Sequence, residues 1–228
     1  MKTRILSGLI MVPFLIVFYF GGWVLAAACF LIGVVGCYEF FKGFHRMDIR
    51  PCFPVAVGSA VLLYGIFYGI RFLGGEEELY LFWVFLTVLA SMLYLFKIEE
   101  RKPEDALATI TGIFYVIFFS FHVMRTEATG DTGILVWLIV FSAFGTDIMA
   151  YFTGMAIGKH KLCPKISPKK TIEGSVGGIL GSIILCGAFG YFFADEYLIH
   201  CLIIGALGGV FSQFGDLSAS SIKRQCNI

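Results

Sequence analysis

The chain has 228 residues, of which 58% are hydrophobic, 17% aromatic and only 14% charged, and its mean hydropathy is +0.87. A soluble domain carries about 25% charged residues, so this composition excludes a soluble protein. Intrinsic disorder is excluded as well, because disordered chains combine low hydrophobicity with high net charge. The formal net charge of +1 gives no reason to expect a nucleic-acid partner. The composition therefore predicts an integral membrane protein in a lipid bilayer.

Stretches of about 20 apolar residues are long enough to cross a bilayer as helices, and the chain contains eight of them. We predict an all-α fold, a polytopic transmembrane helical bundle of about eight spans. The predicted limits are 5–20, 22–41, 53–72, 79–96, 107–124, 132–156, 176–193 and 197–214. About five spans form a first domain, residues 1–130, and the polar motifs concentrate in a second domain, residues 131–228.

The distribution of basic residues predicts the topology. With a cytosolic N-terminus and eight spans, every Lys and Arg except Arg71 and Arg125 falls in a cytosolic segment. This asymmetry is typical of the positive-inside rule. Both termini are therefore predicted to be cytosolic, and the acidic turns at 76–78 and 195–196 are predicted to face the other side.

Cysteine and histidine are scattered, and no C-x-x-C or H-x-x-x-H pair occurs. We interpret most of the cysteines as small apolar side chains of membrane helices rather than as a disulfide framework or zinc site. Glycine pairs at G-x-x-x-G spacing predict close helix packing. These pairs are Gly65/Gly69, Gly154/Gly158, Gly174/Gly178, Gly177/Gly181 and Gly205/Gly209. The glycine-rich spans allow a homodimer, although no residue requires one.

Segment 159–175 contains five lysines and is the longest stretch outside the predicted spans. A charged cytosolic loop is the simplest interpretation. However, its Ser-Pro pair at 167–168 has the sequence of a helix N-cap followed by a first-position proline. Two lysines in the first helical turn would oppose the helix dipole unless a phosphate binds to them and to the free N–H groups. The candidate phosphate-binding residues are Ser167, Lys169, Lys170 and Thr171.

Two acidic residues are also candidates. Asp147 precedes the basic segment by 12 residues, or roughly 18 Å of continuous helix, which places it near the middle of the membrane. Ionised residues there usually face a bundle interior or a wet cavity, although a protonated or paired structural role is the alternative. If the last helix continues past Asp216, then Ser220, Lys223 and Arg224 lie over the same face. That stripe offers a carboxylate for a hard cation and two cations for phosphate oxygens.

Four motifs follow one another in the second half of the chain, 141–224. They are Asp147-x-x-Ala-Tyr-Phe-x-Gly, Gly-Lys at 158–159, Ile-Ser-Pro-Lys-Lys-Thr-Ile-Glu-Gly at 166–174 and Gly-Asp-Leu-x-x-Ser-x-x-Lys-Arg at 215–224. In these motifs the chain resembles the phosphatidate cytidylyltransferases, also called CDP-diacylglycerol synthases. The resemblance implies transfer of CMP from CTP to phosphatidate with Mg²⁺ as the metal. It also implies a multi-pass protein of the inner membrane whose active site faces the cytosol.

The resemblance implies roles for single residues. Asp216 would bind the metal and act in catalysis with Ser220, Lys223 and Arg224, whereas Ser167, Lys169, Lys170, Thr171 and Asp147 would contact substrate. The family pattern continues with further acids after Lys-Arg, so we expect a C-terminal segment that this sequence lacks, and no turnover without it. Two alternatives are weighed against this function. One is an ion or solute transporter coupled through Asp147, and the other is a CTP-dependent lipid kinase or an intramembrane phosphotransferase.

Overall fold

The structure is a computed structural model, and it describes residues 16–74, 78–129, 133 and 135–226. Its helical content confirms the predicted fold class. Among the residues that the structure describes, seven segments are long and apolar enough to cross a membrane, so the chain is a multi-pass membrane protein. The first predicted span, 5–20, lies largely outside the described residues. The seven segments are Gly22–His45, Phe53–Gly74, Leu79–Phe96, Pro103–Glu127, Trp137–Ile157, Ile172–Phe193 and Asp195–Gln225.

The helices are numbered here in chain order. They are α1 (Gly22–His45), α2 (Phe53–Gly69), α3 (Leu79–Leu93), α4 (Pro103–Gly112), α5 (Phe119–Glu127), α6 (Trp137–Ile157), α7 (Ile172–Phe193) and α8 (Leu198–Gln225). Two π-helical segments, Ile70–Gly74 and Ile113–Phe118, extend α2 and join α4 to α5. Short 3₁₀ turns follow α3 at Tyr94–Phe96 and precede α8 at Asp195–Tyr197. Two short strands, β1 (Lys161–Cys163) and β2 (Ser167–Thr171), lie between α6 and α7.

The chain forms two compact units, residues 1–130 and 131–228. The first unit contains α1 to α5, packed around an apolar core. Its largest fully buried side chains are Trp83, Phe41, Phe121, Leu25 and Leu63. Six of the seven cysteines of the chain are buried, which agrees with their interpretation as small apolar side chains.

The first unit contains a buried acid that was not predicted from the sequence. Asp105 is 2% exposed and lies in the first turn of α4. Its carboxylate accepts hydrogen bonds from the backbone N–H of Arg50 at 2.7 Å and of Lys102 at 3.1 Å. An acid in the first turn also suits the helix dipole. Asp105 therefore attaches the loop between α1 and α2 to the start of α4, which is a structural role.

Glycines bring α6 and α7 into backbone contact in the second unit. A Cβ atom added at Gly174 would lie 2.7 Å from the carbonyl oxygen of Ala150, and one added at Gly178 would lie 2.8 Å from that of Thr146. Real Cβ atoms do not approach backbone oxygens so closely. The predicted packing role of this G-x-x-x-G pair is confirmed, and it holds the helix that carries Asp147 directly against α7.

The other glycine pairs do not all behave alike. A Cβ atom at Gly205 of α8 would lie 2.9 Å from the carbonyl oxygen of Ser182 on α7, so close packing is confirmed there as well. For Gly65 and Gly69 of α2, no described atom lies within 4 Å of an added Cβ. The prediction that this pair mediates close packing is therefore wrong for the first unit as described, because the spacing alone does not determine which helix face meets a neighbour.

We expect Gly174→Ala to destabilise the second unit by about 1–3 kcal/mol, because the added methyl group meets backbone that cannot rotate away. The apparent Tm of the detergent-solubilised protein should fall by roughly 2–4 °C for each kcal/mol. Gly58→Ala in α2 is the control, since no described atom lies within 4 Å of a Cβ there, and its Tm should stay level or rise slightly. An unchanged Tm for Gly174→Ala would contradict the close packing.

Candidate active site

The basic segment after α6 folds as a β-hairpin. Strands β1 and β2 pair antiparallel, with Lys161 opposite Thr171 and Cys163 opposite Ser167. The backbone N–H of Ile166 donates to the carbonyl oxygen of Cys163 at 3.1 Å and closes the turn. The Ser-Pro-Lys-Lys sequence is therefore extended, and successive side chains of this strand point to opposite faces.

The prediction that a helix starts at Ser167 is wrong. Helix α7 begins at Ile172, and Thr171 is its N-cap, with its Oγ1 accepting a hydrogen bond from the N–H of Gly174 at 3.1 Å. The first turn holds Glu173, an acid that the dipole favours, instead of two lysines that it would oppose. Dipole and backbone N–H groups consequently give no support to a phosphate site at Ser167. Any phosphate site here must rest on the side chains.

The hairpin and α8 meet through an ion pair. Nζ of Lys170 lies 2.5 Å from Oδ2 of Asp216, and the two side chains are 24% and 46% exposed. Helix α8 continues to Gln225, beyond the predicted span limit of 214, so the condition set for the acidic stripe is met and Asp216 lies within the helix. Asp147 on α6 has an exposed side chain and is close enough for the charges of Asp216 and Lys170 to act on it. The ion pair thus joins the hairpin to α8, and Asp147 on α6 lies within electrostatic range of it.

Beside the ion pair, a pocket of about 280 Å³ lies between the hairpin and the C-terminal end of α8. It is lined by Ile166, Ser167, Pro168, Lys169, Ser220, Lys223 and Arg224. Nε of Arg224 donates to the carbonyl oxygen of Ile166 at 3.4 Å and joins the end of α8 to the hairpin turn. Three of the lining side chains are cations and two carry hydroxyl groups. Charge-assisted hydrogen bonds of this kind are strong with phosphate oxygens.

The structure thus brings the candidate residues of the hairpin and of α8 together. Thr171 differs from the rest, since it is buried and its hydroxyl oxygen is occupied by the N–H of Gly174. We therefore give Thr171 a capping role. Its neighbour Lys170 emerges beside Asp216 because the cap fixes where the strand ends and the helix begins.

Sequence reasoning missed the residue that closes the base of the hairpin. The carboxylate of Glu173 accepts hydrogen bonds from the backbone N–H of Lys159 at 3.1 Å and of His160 at 3.2 Å. Its Oε1 also lies 2.6 Å from Nδ1 of His160. Glu173 was visible in the sequence only as an acid soon after a threonine, a pattern that indicates a helix start but does not identify the loop it would hold.

Two carboxylates, Asp147 and Asp216, are the oxygen donors of the candidate site. Within the part of the chain that the structure describes, no three His, Cys, Asp or Glu side chains gather into a group. A structural zinc needs four protein ligands, whereas Mg²⁺ is usually held by one or two carboxylates, with water and substrate phosphates as the other ligands. The carboxylate of Asp216 is the kind of oxygen donor that Mg²⁺ binds, and the carboxylate of Asp147 is a second donor of the same kind.

The fold and the site together define a multi-pass membrane protein with a cationic, hydroxyl-lined pocket beside two carboxylates, an arrangement suited to phosphate-bearing substrates. The chain belongs to the cytidylyltransferase family, whose sequence model matches residues 2–228. The family membership predicted from the four motifs is thereby confirmed.

Several named relatives align with much or all of the chain. The phosphatidate cytidylyltransferase of Thermotoga maritima is 25% identical over 240 residues, covering 100% of this chain and 84% of the relative. That of Haemophilus influenzae is 26% identical over 252 residues, covering 100% of this chain and 88% of the relative. That of Bacillus subtilis is 33% identical over 148 residues, covering 62% of this chain and 54% of the relative. These matches give no support to the transporter or lipid kinase alternatives.

Proposed function

We propose that this protein transfers CMP from CTP to phosphatidate, which yields CDP-diacylglycerol and pyrophosphate. The observation that carries the proposal is the ion pair between Lys170 and Asp216, next to a pocket with three cations. Relatives named phosphatidate cytidylyltransferase support the choice of substrates. A lipid substrate also suits a chain with seven membrane-spanning segments among its described residues.

The reaction needs no side-chain nucleophile. An oxygen of the phosphatidate phosphate attacks the α-phosphorus of CTP, the bond from that phosphorus to the oxygen bridging to the β-phosphate breaks, and pyrophosphate leaves with the bonding electrons. The attacking oxygen is already anionic at neutral pH, so catalysis consists mainly of aligning two anionic reactants and neutralising their charge. Lysines, an arginine and hydroxyl groups supply what this task requires.

The residues of the pocket and its neighbour Lys170 have separate roles in binding the substrates. We assign Lys169, Lys223 and Arg224 to oxygens of the CTP phosphates, to which the hydroxyl groups of Ser167 and Ser220 donate hydrogen bonds. Lys170 exchanges its carboxylate partner for a substrate phosphate when the substrates bind.

Asp216 and Asp147 would hold Mg²⁺ in this proposal. Once bound, the ion supplies Lewis-acid stabilisation of the charge that develops on the leaving pyrophosphate. The carboxylate of Asp216 additionally keeps Lys170 in place before the substrates arrive, because the two groups are in direct contact.

We extend the proposal to location and assembly. The concentration of Lys and Arg on one predicted side supports an inner-membrane protein whose site faces the cytosol, where CTP is synthesised. A homodimer belongs to the proposal as well, since the exposed Gly65 of α2 leaves room for a second copy in the membrane. Crosslinking in intact membranes at increasing reagent concentration measures that association.

Isotope transfer tests the reaction. Membranes that contain the expressed protein are incubated with phosphatidate, Mg²⁺ and CTP labelled in either the α- or the γ-phosphate. We expect the lipid fraction to acquire the α-label and the aqueous phase to retain the γ-label as pyrophosphate. Lipid that carries the γ-label would instead indicate a kinase. Solute flux through the protein in liposomes without CTP, together with no labelled lipid, would favour the transporter.

A further inference from the structure

A buried polar contact joins α7 to α8 one helical turn from the candidate site. Gln213 on α8 is only 7% exposed. Its Nε2 donates to the carbonyl oxygen of Ser175 on α7 at 2.9 Å, and its Oε1 accepts the hydroxyl proton of the same serine. Both ends of the side-chain amide are therefore satisfied by one residue. Breaking such a contact is costly, because a buried amide left unpaired has also lost its hydrogen bonds to water.

The Gln213–Ser175 contact joins the same two chain segments as the Lys170–Asp216 ion pair. Gln213 and Asp216 are three residues apart on α8 and share a face of the helix. Ser175 lies in the first turn of α7, shortly after the N-cap Thr171, which directly follows Lys170. The same two chain segments are consequently linked twice, by Gln213 and Ser175 in the interior and by Asp216 and Lys170 nearer the surface.

The two links differ in how strongly they fix the position of α8 on α7. The ion pair is partly exposed, with 46% of the Asp216 side chain accessible, and exposed ion pairs contribute little because solvent screens them and the lysine loses rotamer freedom. The contact with Ser175 has two hydrogen bonds of fixed direction, and the Gln213 side chain that makes them is only 7% exposed. This contact therefore constrains the rotation and height of α8 against α7 more tightly than the ion pair can.

We propose that Gln213 is a positioning residue, which holds the Asp216 carboxylate beside Lys170 by fixing the register of α8 on α7 through Ser175. Its importance for catalysis rests on the proposed function. The geometric part does not, because it concerns only where two points of the chain lie relative to each other. A measurement of proximity can therefore separate the two.

Crosslinking measures that proximity without turnover. Lys170→Cys and Asp216→Cys are combined with Cys163→Ser, which removes the one native cysteine that is not buried, and the new thiols are joined by a short bifunctional thiol reagent. Gln213→Met is then added, because methionine has a similar length but neither hydrogen-bonding group of the amide. We expect the crosslinking rate to fall by about tenfold or more, as small displacements of reacting groups have large effects on rate.

The control removes a comparable contact elsewhere between the same helices. Ser182 on α7 is fully buried, and its hydroxyl donates to the carbonyl oxygen of Gly205 on α8 at 2.8 Å. Ser182→Ala should leave the crosslinking rate within about twofold of the parent protein, because this contact is about two helical turns away from Ser175. Gln213→Glu, which keeps the acceptor for the serine hydroxyl but loses the amide donor, should give an intermediate rate and serves if Gln213→Met does not fold.

The possible crosslinking results distinguish the positioning role of Gln213 from the proposed CMP transfer. Equal rates with and without the Gln213 substitutions, or an equal loss in Ser182→Ala, would overturn the positioning role. A selective loss in the Gln213 variants supports it. If the unsubstituted protein transfers no CMP while the selective loss is seen, the proposed function fails and the positioning role stands. In an active enzyme, Gln213→Met should also raise the Mg²⁺ concentration needed for half-maximal rate, which a loss of general stability would not do.

Discussion

Asp216→Asn should lower the rate of CMP transfer by about 10³-fold while the protein stays folded in the membrane, because loss of a preorganised charge-stabilising group typically costs 10²–10³-fold in kcat. Asparagine keeps the size of the side chain but removes the charge that pairs with Lys170 and that would hold Mg²⁺. Since about 1.4 kcal/mol corresponds to a tenfold change in rate, the expected loss represents roughly 4 kcal/mol of transition-state stabilisation. The rate is measured as α-label incorporated into lipid by membranes with equal amounts of protein.

Asp195→Asn is the matched control for this prediction. Asp195 lies at the opposite end of the same span and is exposed, so the same substitution changes the net charge equally but leaves the candidate site untouched. Its rate should match that of the unsubstituted protein. If Asp216→Asn were as active as Asp195→Asn, Asp216 would have no place in the reaction.

Lys170→Met should reduce kcat/KM for CTP by about 10- to 100-fold. The substitution removes a hydrogen bond to a charged group, which contributes about 1.5–3 kcal/mol, and it leaves the aliphatic length of the side chain in place. The loss should be smaller than that of Asp216→Asn, because Lys169, Lys223 and Arg224 still surround the pocket. Initial rates at varied CTP and fixed phosphatidate give kcat/KM directly.

A second lysine of the hairpin provides the comparison. Lys165 lies at the turn between β1 and β2 and is exposed, but it does not line the pocket. Lys165→Met should change kcat/KM by less than about twofold, since it removes only a solvated charge near the site. Equal losses in the two variants would mean that the hairpin contributes a diffuse positive field, and the specific contact of Lys170 would be refuted.

The helices were predictable because the bilayer restricts what the sequence can do. Lipid offers no hydrogen bonds to the backbone, so long apolar stretches must be helical, and the predicted limits of α3 with its 3₁₀ extension match the observed Leu79–Phe96. Polar residues at the ends were assigned less well. Helix α8 extends to Gln225, well beyond the predicted limit of 214, because its last turns are amphipathic and low in hydropathy.

The hairpin could not be predicted from local sequence. Ser-Pro begins many helices, and nothing within a few residues of Ser167 distinguishes a cap from a strand. The outcome depends on the pairing of Lys161 with Thr171 and on the better cap that Thr171 offers to α7. The Thr171 cap is local, but the strand pairing joins residues that are well apart in the sequence, and the local pattern does not show which of the two possible caps that pairing selects.

Candidate site residues could be named from their chemistry and motifs, but not their partners. The pairing of Lys170 with Asp216 depends on how α7 packs against α8, and the sequence indicates that packing only as glycine spacing. Gln213 and Asp105 were missed for a related reason. A polar residue in an apolar context is recognised as structural only when its buried partners are known, and those partners are Ser175 for Gln213 and two loop N–H groups for Asp105.

The central claim is that the phosphates of CTP bind between the hairpin and the end of α8. A CTP derivative with a photoreactive group on its γ-phosphate, irradiated with the protein and located by peptide mass spectrometry, tests it without any need for turnover. We predict labelling within 159–171 or 215–226 that excess unmodified CTP prevents. Competable labelling confined to residues 1–130 would contradict the account.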